Sequence, residues 1–262
     1  MDLIKKISKS FESRPYDIGV ALGGGGTRGF AHLGVLQALK EANIQVEAVS
    51  GVSAGAIVGC MIASGKAPKE VMQLMQDYDL LDFTSFQIPK MGLLNFDKLE
   101  GFLSEHLPSD SFDDLEIPFW VTLSNLNVGK VEYHNSGSLI TAVMASASIP
   151  VLFSPVTIGE YTYVDGGLFD NLPVQPLRDN CKKVIGVDIS PVQEVESFSN
   201  LIDVAIRTFQ LNDKSNTRKN KKECDLFIQP LDLCEYDILD TSNAKKLFDI
   251  GYDCANSMTI DL

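Results

Sequence analysis

Residues 17–63 carry the clearest information about the architecture, and they read DIGVALGGGGTRGFAHLGVLQALKEANIQVEAVSGVSAGAIVGCMIA. Residues 17–22 form an apolar run that predicts a buried strand. After four glycines, residues 27–41 carry apolar side chains at helical spacing. Residues 46–50 predict a second strand, and a turn at 51–53 leads into a second helix over 54–63. The order strand, helix, strand, helix predicts an α/β fold with a mainly parallel central sheet.

The second strand–helix junction contains a G-x-S-x-G pentapeptide, Gly51-Val52-Ser53-Ala54-Gly55. On such a sharp turn the serine hydroxyl is exposed and can attack a carbonyl, and the small neighbouring residues avoid side-chain clashes. The N-terminus of the following helix favours a developing negative charge. Ser53 is therefore the candidate nucleophile. The alternative is a tight strand–helix turn in which Ser53 only caps the helix.

The first junction is the glycine run Gly23–Gly26 followed by Thr27, Arg28 and Gly29. Consecutive glycines leave backbone N–H groups open to a substrate oxygen, so the amides of this loop are candidates for an oxyanion hole. Gly24, Gly26 and Gly29 also match G-x-G-x-x-G, which is typical of dinucleotide binding. That alternative needs a carboxylate at the end of the second strand, whereas Glu47 lies at its beginning.

A base for Ser53 is needed, and the chain has three histidines, His32, His106 and His134. None follows residue 134, so Asp165 cannot be the acid in the order serine, acid, histidine of the α/β-hydrolases. Asp165 ends a predicted strand and precedes Gly166 and Gly167, which remove side-chain bulk beside it. A carboxylate next to a serine hydroxyl can act as the base if its surroundings raise its pKa. The alternative is a simple turn at 165–167.

Four blocks together resemble the patatin-like phospholipases, in a small bacterial form. They are residues 24–29 (GGGTRG), 51–55 (GVSAG), 145–150 (ASASIP) and 165–167 (DGG), and the resemblance runs from about residue 18 to residue 177. It implies a three-layer α/β/α fold and a Ser53–Asp165 dyad without a metal or cofactor. It also implies an oxyanion hole at Gly24, Gly25, Gly26 and Thr27. Arg28, Gly29, Gly51, Gly55, Gly166 and Gly167 would be supporting residues.

The implied activity is hydrolysis of lipid carboxylic esters, of the lipase or phospholipase A type, through an acyl-enzyme. A soluble esterase or thioesterase is the nearest alternative. A nucleotide-binding or regulatory protein that uses the glycine loop is the alternative from another class. The resemblance does not define the acyl chain, the headgroup or the oligomeric state, and residues after about 190 match nothing specific.

The composition of the chain indicates its domain organisation, its partners and its localisation. With 45% hydrophobic and 22% charged residues, the 262-residue chain is typical of one globular domain, with residues 17–190 bearing the motifs and 191–262 completing it. The net charge of −13 argues against a nucleic-acid partner. Five scattered cysteines, no signal peptide and no transmembrane run predict a cytoplasmic protein. Residues 1–13 form either a short interfacial helix for peripheral membrane contact or a segment that packs on the body.

The middle of the chain is less regular. Residues 66–114 are predicted to contain two helices, the second at about 96–105 with Asn95 as its N-cap, and loops that are candidates for a lid. Residues 83–94 either line an acyl groove or simply pack. Strands are predicted at 118–124, 130–134, 161–165, 183–188 and 225–229, with a turn at 157–160. The charge run at 218–223 is predicted to lie on a solvated loop or helix end.

Overall fold

The computed structural model describes residues 14–77, 97–240 and 242–259. Within them, an eight-stranded sheet forms the middle of the molecule. Its strands are β1 (Tyr16–Leu22), β2 (Ala48–Gly51), β3 (Phe119–Asn125), β4 (Lys130–His134), β5 (Val156–Ile158), β6 (Tyr161–Asp165), β7 (Cys181–Val187) and β8 (Leu226–Ile228). The predicted strands are present, with ends that differ by one or two residues.

The strand order is β5-β6-β3-β2-β1-β7-β8, and β4 also pairs with β3. The five strands β3, β2, β1, β7 and β8 run parallel to one another. The pairs β3–β4, β3–β6 and β5–β6 are antiparallel. The predicted mainly parallel sheet is therefore confirmed, with an antiparallel edge. The predicted turn at 157–160 was wrong, because Val156–Ile158 pairs with β6 and only Gly159, with a φ of 61°, and Glu160 connect the two strands.

Eight helices accompany the sheet in the described ranges. They are α1 (Phe30–Glu41), α2 (Ala54–Ala63), α3 (Pro68–Asp77), α4 (Asp97–His106), α5 (Leu139–Ser146), α6 (Gln175–Asn180), α7 (Leu201–Asn220) and α8 (Ala244–Asn256). A 3-10 turn, Gly26–Gly29, precedes α1. The charge run at 218–223 lies at the exposed end of α7 and the turn after it, as predicted. Asn95 and residues 83–94 lie outside the described residues.

Both faces of the sheet are covered by apolar side chains. Alternate residues of a strand point to opposite faces, and in β1 the residues Val20 and Leu22 belong to the main core beside α1 and α2. Ala21 instead belongs to a second cluster that contains Leu177 of α6. This arrangement is the predicted three-layer α/β/α architecture.

The last helix, α8, lies against α1. A side chain on Gly34 would overlap the carbonyl of Phe248, and one on Gly251 would overlap the carbonyl of Ala31. The two backbones can approach this closely because both positions are glycine. The C-terminal part of the chain is thereby fixed to the helix that follows the glycine run.

Candidate active site

Ser53 lies between β2 and α2 with φ 54° and ψ −123°. A positive φ is unusual for a residue with a Cβ and is typical of a strained turn at a functional site. The neighbouring chain segments pass very close: a side chain on Gly51 would overlap the carbonyl of Gly55, and one on Gly55 would overlap the carbonyl of Leu22. The two glycines of the pentapeptide therefore permit the turn that presents Ser53.

A second serine holds this turn in place. The backbone N–H of Ser53 donates to Oγ of Ser146 at 2.9 Å. The Ser146 hydroxyl in turn donates to the carbonyl oxygen of Thr122 in β3 at 2.7 Å. Ser146 is fully buried. The sequence alone predicts no role for Ser146, because this contact joins residues far apart in the chain.

Asp165 ends β6 and is 1% exposed. Its Oδ1 accepts a hydrogen bond from the N–H of Gly167 at 2.8 Å. Within the described residues, Oδ2 has no hydrogen-bond partner of full geometry. Burial raises the pKa of Asp165 to about 7, and interactions with the Ser53 hydroxyl and the Gly167 N–H oppose this shift. A carboxyl that titrates near neutral pH is suited to accept a proton.

The glycine loop lies beside Ser53. A Cβ on Gly24 would stand 3.2 Å from Cβ of Ser53. The Gly24 N–H donates weakly to the carbonyl of Asn171 at 3.4 Å, and the Thr27 N–H donates to Ile238 at 2.9 Å. In the part of the chain that the structure describes, the N–H groups of Gly25 and Gly26 donate to no acceptor. These two amides are the most available to a substrate oxygen.

The side chains of His32 and Arg28 hold the glycine loop in place by hydrogen bonds. Nε2 of His32 is 2.7 Å from the carbonyl oxygen of Gly23. Burial lowers the pKa of His32 to about 4, so the ring is neutral and Nε2 carries the donated proton. Arg28 donates to the carbonyl of Tyr236 through Nε and Nη2 at 2.9 and 2.7 Å, and to that of Pro191 at 3.3 Å. The Arg28 guanidinium therefore steadies the loop.

The remaining supporting glycines also lie at close contacts. A Cβ on Gly29 would stand 3.1 Å from Cβ of Ala54, and one on Gly166 would overlap the carbonyl of Thr122. One on Gly167 would stand 2.7 Å from Oδ1 of Asn171. The first of these contacts joins the glycine loop to the pentapeptide of Ser53.

One small pocket brings the predicted site residues together. Its lining includes Gly24, Gly25, Gly26, Ser53 and Asp165, together with Phe209 and Gln210 of α7. Sequence reasoning missed the two α7 residues, because nothing in the pattern after residue 190 connects that helix to the site.

An apolar groove adjoins this pocket at Ser53. It encloses about 650 Å³ of empty space, including its opening to solvent. Its lining includes Phe30, Ile57, Ile149, Phe153 and Leu239. Met75 and Leu99, on either side of residues 78–96, also line it. An apolar group bound here would lie beside Ser53.

The alternatives to a Ser–Asp pair find little support in the geometry. Among the described residues, no histidine lines the pocket: His106 packs on the Phe102 ring at 4.8 Å, and His134 bonds Glu132 at 3.0 Å. Glu47 accepts from the N–H of Asp17 at 2.8 Å, at the start of β1 and far from the glycine loop, so it is misplaced for a nucleotide ribose. No cluster of three or more His, Cys, Asp or Glu residues in the described ranges is placed to hold a metal.

Two curated proteins illustrate what this chain is similar to. Lysophospholipase NTE1 of Cryptococcus neoformans is 31% identical over 194 residues, which cover 68% of this chain and 11% of that protein. An NTE family protein of Mycobacterium tuberculosis is 30% identical over 176 residues, which cover 66% of this chain and 49% of that protein. The chain therefore spans about a tenth of the first relative and about half of the second.

Among solved structures, VipD from Legionella pneumophila superposes with a TM-score of 0.52 at 16% identity, over 92% of this chain and 66% of that one. This likeness concerns the fold. The family model for the patatin-like phospholipases matches residues 20–178, which include Ser53, Asp165 and the glycine loop. The chain belongs to the patatin-like phospholipase family.

Proposed function

We propose that this protein hydrolyses carboxylic esters of lipids, with Ser53 as the nucleophile and Asp165 as its base. The observation that carries the proposal is the shared pocket, in which the strained serine, the buried carboxylate and the free glycine amides meet at the end of an apolar groove. Each element of acyl transfer then has a candidate: a nucleophile, a base, an oxyanion hole and a place for the acyl chain.

In the proposed mechanism, the ionised Asp165 takes the proton from the Ser53 hydroxyl while the serine oxygen attacks the ester carbonyl. The N–H groups of Gly25 and Gly26 stabilise the oxyanion, and one such donor is typically worth about 10²–10³ in rate. The ester C–O bond then breaks, and the leaving alcohol takes the proton from Asp165. Water, activated by the same carboxylate, attacks the acyl-enzyme and releases the fatty acid together with the regenerated serine.

The apolar groove and the family suggest the substrate class. The groove lining is almost entirely apolar and meets Ser53 directly, which favours a long acyl chain over a small acid. A relative carries the name lysophospholipase. We therefore propose a lipid with one acyl chain in ester linkage as the substrate to test first.

A fluorophosphonate probe tests the proposal directly, because it labels only activated serines. The wild type, Ser53→Ala, Asp165→Asn and a control, Ser257→Ala at an exposed site, are treated with the probe and the adduct is mapped by mass spectrometry. We expect labelling at Ser53 in the wild type and the control, none in Ser53→Ala and little in Asp165→Asn. The same four proteins are then assayed with a lysophospholipid and a thioester of equal chain length.

Absence of labelling in folded wild-type protein would refute the proposal and favour a regulatory role. Full labelling of Asp165→Asn would refute the role of the carboxylate alone. Turnover of the thioester without turnover of the oxygen ester would instead identify a thioesterase.

A further inference from the structure

Helix α7 presents an apolar stripe to solvent. The stripe consists of Leu201, Val204, Thr208 and Leu211, which share one helix face because they are three or four residues apart. The side chains of Leu201, Val204 and Leu211 are 86%, 43% and 49% exposed. Solvent-facing helix positions are normally polar. We call these four residues the α7 stripe.

The first turn of α7, which begins with the exposed Leu201, is held in place by hydrogen bonds. Oδ1 of Asn200 accepts hydrogen bonds from the N–H groups of Ile202 and Asp203 at 2.8 and 2.9 Å. The Asp203 carboxylate accepts from the N–H of Ser199 at 3.0 Å. Such reciprocal capping holds the first turn in place. The outward position of Leu201 is therefore built into the fold.

The opposite face of α7 forms one wall of the site. Ile206 packs against the cluster of Ile149, Leu152 and Phe153. Phe209 and Gln210 line the pocket that holds Ser53 and Asp165. One helix thus has the candidate active site on its inner face and the α7 stripe on its outer face.

Positive charge follows the stripe. Two turns beyond Leu211, the same face carries Arg218 and Lys219, and Lys222 follows in the next turn; all three side chains are exposed. Within the described part of the chain, no ion pair is formed by Arg218 or Lys222. The basic end of this face has the opposite sign to the net charge of the whole chain, which is −13. This face complements a surface with an apolar interior and a negative exterior.

From this arrangement we infer that the α7 stripe docks the protein on an anionic lipid surface, with Leu201, Val204 and Leu211 inserted and Arg218 and Lys222 among the headgroups. The choice of lipid over another protein rests on the proposed function, since a site that cleaves lipid esters must reach substrate held in a bilayer or micelle. Docking through the outer face of α7 places against that surface the helix whose inner face lines the pocket.

Vesicle flotation tests the inference with the full chain in a Ser53→Ala background, which prevents hydrolysis. The vesicles are phosphatidylcholine with and without phosphatidylglycerol. The test variant is Leu201→Asp/Val204→Asp/Leu211→Asp. The matched control is Leu126→Asp/Val128→Asp, two apolar residues that are each 47% exposed on the turn between β3 and β4.

We expect the parent and the control to float with the anionic vesicles and the stripe variant to bind at least about tenfold more weakly, because inserted apolar area drives interfacial binding. Arg218→Gln/Lys222→Gln is expected to remove the preference for phosphatidylglycerol. Equal binding by the stripe variant, or no binding by the parent, would overturn the inference.

Two further results would overturn it in favour of another occupant. If the parent is a dimer and the stripe variant a monomer in size-exclusion chromatography, the stripe is an interface between two copies. If the stripe variant melts several degrees lower while the control does not, another part of the chain covers the stripe. Fluorophosphonate labelling of the wild type separates the two proposals: labelling at Ser53 without vesicle binding refutes only the docking surface, and vesicle binding without labelling refutes only the proposed function.

Discussion

The buried carboxylate of Asp165 makes a testable link between activity and stability. In the folded protein its pKa is about 7, whereas the ordinary value is 3.8, and desolvation is the main cause. Between these two pH values the unfolded chain has already lost the proton that the folded chain keeps. By linkage, wild-type stability falls as the pH rises through this window, by about 1.4 kcal/mol per pH unit for this one group.

Asp165→Asn removes the charge and keeps an oxygen that can accept from the Gly167 N–H. The variant therefore does not lose stability as the pH rises. Its free energy of unfolding increasingly exceeds that of the wild type. Between about pH 5 and pH 7 the advantage is expected to increase by about 2 kcal/mol, and above pH 7 to change little. A variant with impaired catalysis would thus be more stable than the wild type at neutral pH.

Urea unfolding of both proteins at several pH values measures this difference. Asp232→Asn, at an exposed carboxyl, is the control for the change from a carboxylate to an amide. If the stability difference between Asp165→Asn and the wild type is independent of pH, burial does not raise the pKa of Asp165. The same conclusion follows if the variant loses stability relative to the wild type as the pH rises.

Three further predictions concern the chemistry of the site. The rate of fluorophosphonate labelling at Ser53 should rise about tenfold per pH unit up to about pH 7 and then level off, because the base must be ionised; a flat profile over this range would contradict the role of the carboxylate. Gly24→Ala should lower kcat at least about 100-fold, since the new Cβ would overlap Oδ1 of Asn171 and displace the loop that is proposed to bind the oxyanion. Steady-state kinetics on a soluble ester measure this change. An unchanged kcat would exclude the loop from the site. Ser146→Ala should lower the free energy of unfolding, measured with urea, by about 1–3 kcal/mol, because the Ser53 N–H and the Thr122 carbonyl lose a buried partner. No loss of stability would show that water replaces the hydroxyl.

The sequence contained enough to predict the parallel half of the sheet. The glycine run and the pentapeptide each follow an apolar strand, and the carboxyl ends of parallel neighbours meet at one edge of a sheet. β1 and β2 are indeed paired in parallel, with Leu22 opposite Gly51. The proximity of the glycine loop to Ser53 follows from this register. The catalytic roles of these residues stay predictions.

Other parts of the site depend on contacts that no local pattern encodes. The Ser146 hydroxyl reaches Ser53 across 93 positions of the chain, and a buried serine looks the same in sequence whether it is bonded or not. The raised pKa of Asp165 comes from burial by distant segments. Phe209 lies on a helix whose sequence carries no site motif, yet it lines the pocket. Long-range packing, which single-sequence periodicity does not report, determines all three features.

The attachment of the C-terminal region to the glycine loop limits how this protein can be shortened. The family model ends at residue 178, but Thr27 and Arg28 bond carbonyls of Ile238 and Tyr236, and α8 is locked on α1 by Gly34 and Gly251. A fragment trimmed at the model boundary would leave the Arg28 guanidinium and the Thr27 amide without acceptors. Protein engineers who want a minimal form of this scaffold should therefore retain the chain to the end of α8, and fusion partners belong beyond it.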